Sequence, residues 1–317
     1  MMRRGSEIVL RAGPYSAALA PEAGGRLTRL SWQGLDDARE LIVPFNSDQP
    51  FDPFNWPKAG AFAMLPFSNR LAGAKFEWVR RTIHLQQTPG TGYAMHGFGH
   101  RKAWQVADTS LSEATLQYRH AAGDAGWPWS FEATQRVRLT QDDVTVNISL
   151  TNTSAESMPA GLGWHPFHPL HPLYANRQGI EPGLQVRAQH MHDVGSDGLA
   201  VIRPGASGAD AIIFDVDTTQ PQTTAFEEWR GGVTLPLDQE HEVCIASTGC
   251  AHLLLHVPQQ PGSICVEPVT LLPGALHHYD STRSATLVAL KPGQTRSMVW
   301  RCAVRGHGQP FSRGDTA

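Results

Sequence analysis

Short segments of alternating polar and apolar residues, separated by polar turns, fill the middle of the sequence. Turns at 123–128 and 141–143 punctuate this region, and the alternation resumes after Gly232. Regularly spaced strands of this kind predict a sandwich or a barrel, and the sequence has no strand–helix–strand rhythm. The predicted central strands are Trp104–Ala107, Thr115–His120, Trp129–Leu139 and Val144–Asn152.

Composition favours a large all-β fold, an antiparallel sandwich with little helix. The 317 residues include 30 Gly and 23 Pro, which favour turns and leave few places for long helices. Apolar residues make up 41% and charged residues 17%, a balance that supports a folded core. We expect one domain over residues 1–305 and a loose polar tail over 306–317. Residues 171–211 have weak periodicity and leave room for some helix.

The charge balance and the cysteines limit the choice of partner and compartment. A net charge of −3, from 26 basic and 29 acidic residues, offers no basic surface to phosphate backbones, so nucleic acid and anionic membranes are not expected partners. No apolar run approaches the length of a membrane span, and the charged N-terminal region argues against a signal peptide. The four cysteines form no C-x-x-C pair and predict reduced, buried thiols and a cytoplasmic location.

The stretch from Gly161 to Leu170 combines two aromatic residues, two histidines and several Gly and Pro residues. Pro166 biases His165 toward an extended backbone, so we expect His165 at a strand end or in a turn, at the rim of an apolar core. A histidine held there can exchange protons near neutral pH. The alternative is a structural histidine that hydrogen-bonds the backbone.

Other polar residues stand among apolar neighbours in three places. Asn69 and Arg70 follow Leu-Pro-Phe-Ser, and an Arg there either meets a partner or extends to water. His96 precedes Gly97, which can let a ligand or backbone approach closely, although such pairs are also common in ordinary turns. Glu267 follows an Ile-Cys-Val run; burial there would raise its pKa toward that of a general base, unless the side chain turns to solvent.

Metal binding is the natural rival for a chain with 15 histidines. His165 and His168, and then His168 and His171, have i,i+3 spacing, but a proline interrupts each pair. Spacing of this kind does not put two imidazoles on one helical face, so no metal is predicted. The sequence also has no dinucleotide fingerprint, phosphate loop or Gly-x-Ser-x-Gly elbow, and we expect no cofactor.

Taken together and in order, these residues resemble the aldose 1-epimerase (galactose mutarotase) family. The resemblance extends over about residues 5–305. It is carried by the motifs Asn69-Arg70-Leu71-Ala72-Gly73 with Phe76, His96-Gly97-Phe98-Gly99 with Trp104, Gly161-Leu162-Gly163-Trp164-His165-Pro166-Phe167, and Glu267-Pro268.

The resemblance implies a galactose mutarotase-like supersandwich and the interconversion of the α and β anomers of a free aldose such as glucose or galactose. It assigns Glu267 as the base that removes the anomeric hydroxyl proton and His165 as the acid that protonates the ring oxygen. It places His96 near that oxygen and makes Arg70 and Asn69 the sugar-binding pair. No cofactor or metal is implied, and the protein is expected to be a monomer or a homodimer.

The sequence departs from the family pattern at one position. The family usually carries an Asp that binds sugar hydroxyls, and Thr223 occupies the corresponding place here. Glu227, Glu228 and Asp215 are the candidates to replace it. Three aromatic residues are candidates to stack on a sugar face, although ordinary core packing is the alternative for each: Trp56, Phe98 and Trp164.

Two other functions remain open at this point. The first is a carbohydrate-binding protein of the same fold without catalysis, which the Thr223 departure favours and the retained acid and base oppose. The second is an epimerase for a modified or phosphorylated sugar. Such an enzyme needs a basic cluster near the pocket, for which the sequence offers Arg70 and the Arg101–Lys102 pair.

Overall fold

The structure, a computed structural model, describes residues 5–45, 51–170, 184–195, 197–207, 212–214, 216, 220–259, 262–277 and 289–309. Regular structure in these residues consists of 26 strands and three short 3₁₀ helices, Pro21–Ala23, Gly99–Arg101 and Asp124–Gly126. The strands of the N-terminal half are β1 (Ile8–Ala12), β2 (Tyr15–Ala20), β3 (Arg26–Gln33), β4 (Ala38–Glu40), β5 (Ala61–Met64), β6 (Arg70–Ala72), β7 (Lys75–Trp78), β8 (Arg81–His84), β9 (Tyr93–Met95), β10 (Gln105–Thr109), β11 (Glu113–His120), β12 (Phe131–Leu139) and β13 (Val144–Asn152). Those of the C-terminal half are β14 (Met158–Pro159), β15 (Gly163–Pro169), β16 (Leu184–Val186), β17 (His190–Val194), β18 (Ala200–Ser207), β19 (Ile212–Phe214), β20 (Gln222–Glu227), β21 (Gly232–Pro236), β22 (His241–Thr248), β23 (His252–Val257), β24 (Ser263–Val269), β25 (Ala289–Leu290) and β26 (Thr295–Gly306).

Two large antiparallel sheets form the body of the fold. The larger has 11 strands in the order β1-β2-β3-β5-β15-β24-β23-β20-β17-β18, with β4 beside β3. The other has seven strands in the order β10-β11-β12-β13-β26-β22-β21. Four two-stranded ribbons complete the described part, one of which pairs β6 with β9. The prediction of an all-β sandwich with little helix is therefore confirmed.

The two faces of the 11-stranded sheet have different neighbours. Trp164 on β15 points toward the seven-stranded sheet, where its ring centroid lies 6.1 Å from that of Trp300. Side chains alternate along a strand, so His165 and Phe167 point to the opposite, outer face. Phe167 packs there in a second apolar cluster with Phe62 and Trp56. Both faces of the central strands are thus covered, which explains why β15 and β24 are buried almost throughout.

The predicted central strands agree with β10–β13 within two residues at each end. The expectation of some helix in 171–211 is wrong for the described residues there, which form β16, β17 and β18. Strand β26 pairs with β22 as far as Gly306. His307 then contacts Glu242 through Nδ1 and Oε1 at 2.9 Å. Residues 310–317 lie outside the described residues.

All four cysteines are buried free thiols, as predicted. Among the described residues no helix is both long enough and apolar enough to cross a membrane.

Candidate active site

His165 and Glu267 face each other across neighbouring strands at the centre of the 11-stranded sheet. Gly163 pairs with Val269, and Phe167 pairs with Cys265, so the same register sets His165 opposite Glu267. The His165 Nε2 and Glu267 Oε1 atoms are 3.3 Å apart, and both side chains are almost fully buried. The prediction that His165 lies at a strand end or in a turn is wrong, because it is the third residue of β15.

The extended backbone that Pro166 predicted for His165 is present, but inside a central strand. Pro166 lies on β15 and Pro268 lies on β24, next to the two facing side chains. Neither proline has an N–H for the ladder, and the regular β15–β24 pairing is interrupted over residues 164–166. A central strand tolerates such a loss where function requires it.

The surroundings of this pair control its protonation. Burial raises the pKa of the Glu267 carboxyl to about 8, against an opposing effect of the Lys58 ammonium, so the expected rise is confirmed. Burial first, and then the neighbouring His96, hold the pKa of His165 well below its usual value. At neutral pH the empty pair therefore carries one proton, mainly on Glu267. Because the two groups are 3.3 Å apart, the charge on each affects the protonation of the other.

His96 is fixed by reciprocal hydrogen bonds with Asn69. The backbone N–H of Asn69 donates to Nδ1 of the His96 ring at 3.1 Å. The backbone N–H of His96 donates in return to the backbone carbonyl of Asn69 at 3.0 Å. A ring nitrogen that accepts from an amide carries no hydrogen, so neutral His96 has its proton on Nε2. Burial holds the pKa of His96 well below its usual value and keeps this neutral form. The His96 ring lies edge-on to His165 with centroids 5.0 Å apart.

Gly97 explains how His96 is placed. Its φ is +66°, and a Cβ there would lie 1.9 Å from the Leu65 carbonyl oxygen. The close approach that glycine allows is therefore to backbone, since the Phe98 N–H also donates to that carbonyl at 2.7 Å. This contact ties the segment that carries His96 to the residues that follow β5.

A cavity of about 630 Å³ opens over the pair, and all five predicted site residues line it: Asn69, Arg70, His96, His165 and Glu267. The Arg70 guanidinium lies 5.2 Å from the centre of the Tyr93 ring. The same cavity is lined by residues that sequence reasoning did not assign to the site, namely Lys58, Asp193 and His256. Lys58 follows Pro53 and Pro57 in an irregular, proline-rich stretch of the sequence, and such stretches often carry function. Asp193 lies in the weakly periodic stretch 171–211, which gave no signal.

Thr223, which the sequence resemblance sets against an Asp of the family, also lines the cavity. Its Oγ1 lies 2.9 Å from Nδ1 of His256 on the adjacent strand. Neither predicted Glu replaces it: Glu227 contacts His192 at 3.0 Å, and Glu228 contacts Arg230 at 3.4 Å. The third candidate, Asp215, lies outside the described residues. Asp193 is the acidic residue that reaches the cavity beside Glu267 in the described part of the chain.

The other sequence candidates are divided between cavity and core. Trp56 lines the cavity, whereas Phe98 stacks on His120 in the core with centroids 4.8 Å apart. Trp164 belongs to the sandwich interior. Arg101 donates to the Met95 carbonyl at 2.9 Å, and Lys102 pairs with Asp124 at 2.8 Å on the surface, so this pair adds no charge to the cavity wall.

One set of potential metal ligands exists within the described residues. His165, Cys265 and Glu267 place their ligand atoms within 4.8 Å of one another. Imidazole, thiolate and carboxylate are all groups that zinc accepts, although a thiolate is required and burial holds the pKa of Cys265 well above its usual value. The prediction that the site uses no metal stays a prediction.

Comparison with known proteins identifies the family of this chain. The aldose 1-epimerase family profile matches residues 6–204. The chain belongs to the aldose 1-epimerase family. A curated relative, the uncharacterized protein YphB of Escherichia coli K12, is 27% identical over 257 residues, which cover 75% of this chain and 81% of that protein.

Solved structures show that this family member has the expected fold. A structure from Escherichia coli K12, whose description as an aldose 1-epimerase is provisional, matches with a TM-score of 0.78 and 22% identity over 95% of this chain and 99% of that one. A galactose mutarotase-like protein from Clostridium acetobutylicum matches with a TM-score of 0.75 and 17% identity over 95% of both chains. The galactose 1-epimerase of Lactobacillus acidophilus NCFM matches with a TM-score of 0.68 and 14% identity, over 95% of this chain and 94% of that one.

Proposed function

We propose that the protein is an isomerase, an aldose 1-epimerase that interconverts the α and β anomers of a free aldose. Membership of the aldose 1-epimerase family supports this reaction class. The observation that carries the proposal is the buried His165–Glu267 pair, 3.3 Å apart at the floor of a cavity. A surface that only binds sugar does not need a desolvated acid and base in contact.

Ring opening uses the pair in its Glu267-carboxylate, His165-imidazolium form. Glu267 removes the proton from the anomeric hydroxyl, and the electron pair left on that oxygen forms the carbonyl. The bond from the anomeric carbon to the ring oxygen breaks, and His165 donates its proton to the ring oxygen as it leaves. The open aldehyde results, and the pair ends with a protonated Glu267 and a neutral His165.

Ring closure reverses these roles after the aldehyde rotates about the bond between C1 and C2. His165 takes the proton of the attacking C5 hydroxyl, and Glu267 donates its proton to the carbonyl oxygen. The pair returns to its starting form, so one proton is conserved through the cycle. The raised pKa of Glu267 suits this exchange, because a base close to neutrality both takes and returns a proton readily.

The remaining predicted residues position the sugar. The Nε2–H of His96 supplies a neutral donor beside His165, where it can hydrogen-bond the ring oxygen without competing as a base. Arg70 and Asn69 bind hydroxyl groups at the cavity wall, and the interaction of Arg70 with the Tyr93 ring orients its guanidinium. A cytoplasmic location is also proposed, and it rests on the free cysteines.

Polarimetry tests the proposal. The optical rotation of freshly dissolved α-D-glucose or α-D-galactose is followed over time without protein and with the wild type. The same measurement is made with the variants Glu267→Gln and His165→Asn. The exposed Glu132, which pairs with Arg119 on the surface, provides the control Glu132→Gln. We expect acceleration by the wild type and the control, and a loss of roughly a hundredfold to ten-thousandfold in each site variant. An unchanged rate in both site variants would contradict the assignment.

A carbohydrate-binding protein without catalysis is the second candidate. The observation that favours it is Thr223, which replaces a hydroxyl-binding Asp with a side chain that contacts His256. Calorimetric binding of an aldose, without acceleration of anomer exchange for any aldose in a panel, would select this function.

A further inference from the structure

We propose that the aldose bound in this cavity carries an anionic substituent on C6, a carboxylate or a phosphate ester, which pairs with the ammonium of Lys58. This inference rests on the proposed anomer exchange and names its substrate class.

Lys58 is a cation at the edge of the site, and the described residues offer its ammonium no ion-pair partner. It lies in the proline-rich loop after β4, lines the cavity and remains exposed to it. Its ammonium lies 5.0 Å from the centre of the Trp56 ring. Across the described ranges no hydrogen bond or ion pair joins this ammonium to a protein carbonyl or carboxylate. Its surroundings partly desolvate the charge, which lowers the pKa of Lys58.

A second cation lies behind the loop. Arg26 is fully buried, and one of its terminal nitrogens donates to the Ala59 carbonyl at 3.0 Å, next to Lys58. Its Nε and its other terminal nitrogen have no hydrogen-bond partner in the described residues, and its charge lies over the Phe62 ring at 4.5 Å. Arg26 and Arg70 both contribute to lowering the pKa of Lys58, so the three positive charges act on one another.

Negative charge in the cavity wall does not match these cations. The Glu267 carboxyl group faces His165, with Oε1 3.3 Å from Nε2, so it is engaged with that imidazole. Asp193 is the other carboxyl group that lines the cavity within the described chain, and Thr223 lines it without a charge. A neutral aldose would occupy the cavity without compensating Lys58. An anion would form charge-assisted hydrogen bonds, which are stronger than neutral ones.

The position of Lys58 selects C6 as the carbon that bears the anion. The ammonium lies 5.0 Å from the centre of the Trp56 ring, and the Trp56 ring lies 6.0 Å from the ring of His96, so Lys58 is on the side of the cavity that holds the histidine assigned to the ring oxygen. In an aldopyranose, C6 is attached to C5, and C5 is bonded to the ring oxygen. A substituent on C6 therefore lies next to these histidines when the ring oxygen faces them. Hexuronates and hexose 6-phosphates share this arrangement.

Exchange NMR of equilibrated anomers provides the test. The kcat/KM for anomer exchange is measured for glucuronate and glucose 6-phosphate against glucose, with wild type, Lys58→Met and the charge-conserving Lys58→Arg. We expect the wild type to favour one of the acidic sugars by about tenfold or more, and the faster acid identifies carboxylate or phosphate. Lys58→Met should abolish most of this ratio, while Lys58→Arg should retain it. Rising salt should reduce the ratio in the wild type.

The outcomes separate this inference from the reaction on which it rests. If glucose exchanges as fast as both acids, or if Lys58→Met slows all three sugars equally, the acidic substrate is wrong and the epimerase proposal stands. If no sugar exchanges faster than without protein, the epimerase proposal fails. Calorimetry then tests the acidic substrate on its own. The inference holds if the wild type binds an acidic sugar more tightly than glucose and Lys58→Met loses this preference. Equal binding of the acidic sugars and glucose overturns it. Circular dichroism checks that each variant is folded, and the salt series needs no variant.

Discussion

Glu267 lies directly opposite His165 in the register of β15 and β24, and its carboxylate is 3.3 Å from the imidazole. A proline in each strand interrupts the backbone ladder beside the two residues. Opposition on two paired strands sets the separation of the two side chains through the backbone. In the proposed reaction, the acid and the base would therefore keep their spacing while the aldose opens and closes.

The activity should have a bell-shaped dependence on pH. The reaction requires one proton on the His165–Glu267 pair. That proton is lost as the pH rises through about 8, the raised pKa of Glu267. A second proton is gained only well below the usual histidine range, because burial lowers the pKa of His165. We expect kcat/KM, measured from pH 5 to 10 and corrected for uncatalysed exchange, to fall on the alkaline side near pH 8.

Lys58→Met should move the alkaline limb of this profile to higher pH. The Lys58 ammonium lowers the pKa of Glu267, so its removal leaves burial unopposed and raises that pKa further. Lys58→Arg retains the charge and should leave the limb close to its original place. A limb at the same pH in Lys58→Met and wild type would contradict the assignment of this limb to Glu267.

Glu267→Gln should stabilise the fold at alkaline pH relative to the wild type. The carboxyl has a pKa of about 8 in the folded protein and 4.5 as its ordinary value, so the folded state binds the proton more tightly. Wild-type stability therefore falls as the pH rises from about 4.5 to 8, and the cost is complete above 8. The expected difference is on the order of a few kcal/mol. Urea unfolding at pH 6 and pH 9 measures it.

Glu132→Gln is the matched control for this experiment, because Glu132 is exposed and forms a surface pair. Its effect on the free energy of unfolding should be small and should not grow between pH 6 and pH 9. An equal pH dependence in the two variants would show that burial of Glu267 is not its source.

The strand pattern and much of the site could be predicted from sequence because both depend on local contrasts. Alternation in β11–β13 follows directly from one buried and one exposed face. Arg70 and Glu267 stood out as polar residues beside apolar ones. The position of His165 inside β15 could not be predicted, since a proline normally argues against a central strand, and the register that opposes two distant residues is a long-range property.

The places of Lys58 and Asp193 in the cavity wall could not be predicted from the sequence, for a related reason. Each enters the cavity from a segment without clear periodicity, so no pattern indicated the direction of its side chain. Thr223 differs, because the family resemblance drew attention to its position and the structure places it in the cavity wall. The contact of Thr223 with His256 is a tertiary feature that no local sequence pattern could show.

His96 should stay neutral, with its proton on Nε2, from pH 5 to 8. The Asn69 N–H occupies Nδ1, and burial holds the pKa of His96 well below its usual value. Nitrogen-15 chemical shifts of the imidazole distinguish the two neutral tautomers and the cation. The exposed His84, labelled in the same sample, provides a reference for an imidazole on the surface. A protonated His96 at pH 6, or a proton on Nδ1, would contradict the proposed donor role.

Gly97→Ala should destabilise the protein more than Gly90→Ala. Both glycines have positive φ, +66° and +75°, so both variants incur the left-handed backbone penalty of about 1–2 kcal/mol. Only at Gly97 would the new Cβ meet a backbone atom, the Leu65 oxygen at 1.9 Å, whereas nothing lies within 4 Å at Gly90. The free energy of unfolding should separate the two variants, and equal losses would show that the Gly97–Leu65 contact is not tight.

Cys265→Ser and metal removal should leave anomer exchange nearly unchanged. The proposed proton transfers use oxygen and nitrogen atoms of Glu267 and His165, and none passes through the Cys265 thiol. Burial holds the pKa of that thiol well above its usual value, which disfavours the thiolate that a metal would need. The exchange rate is measured before and after dialysis against EDTA, and again with added Zn²⁺. A rate that EDTA abolishes and Zn²⁺ restores in the wild type, but not in Cys265→Ser, would assign His165, Cys265 and Glu267 to a metal centre instead.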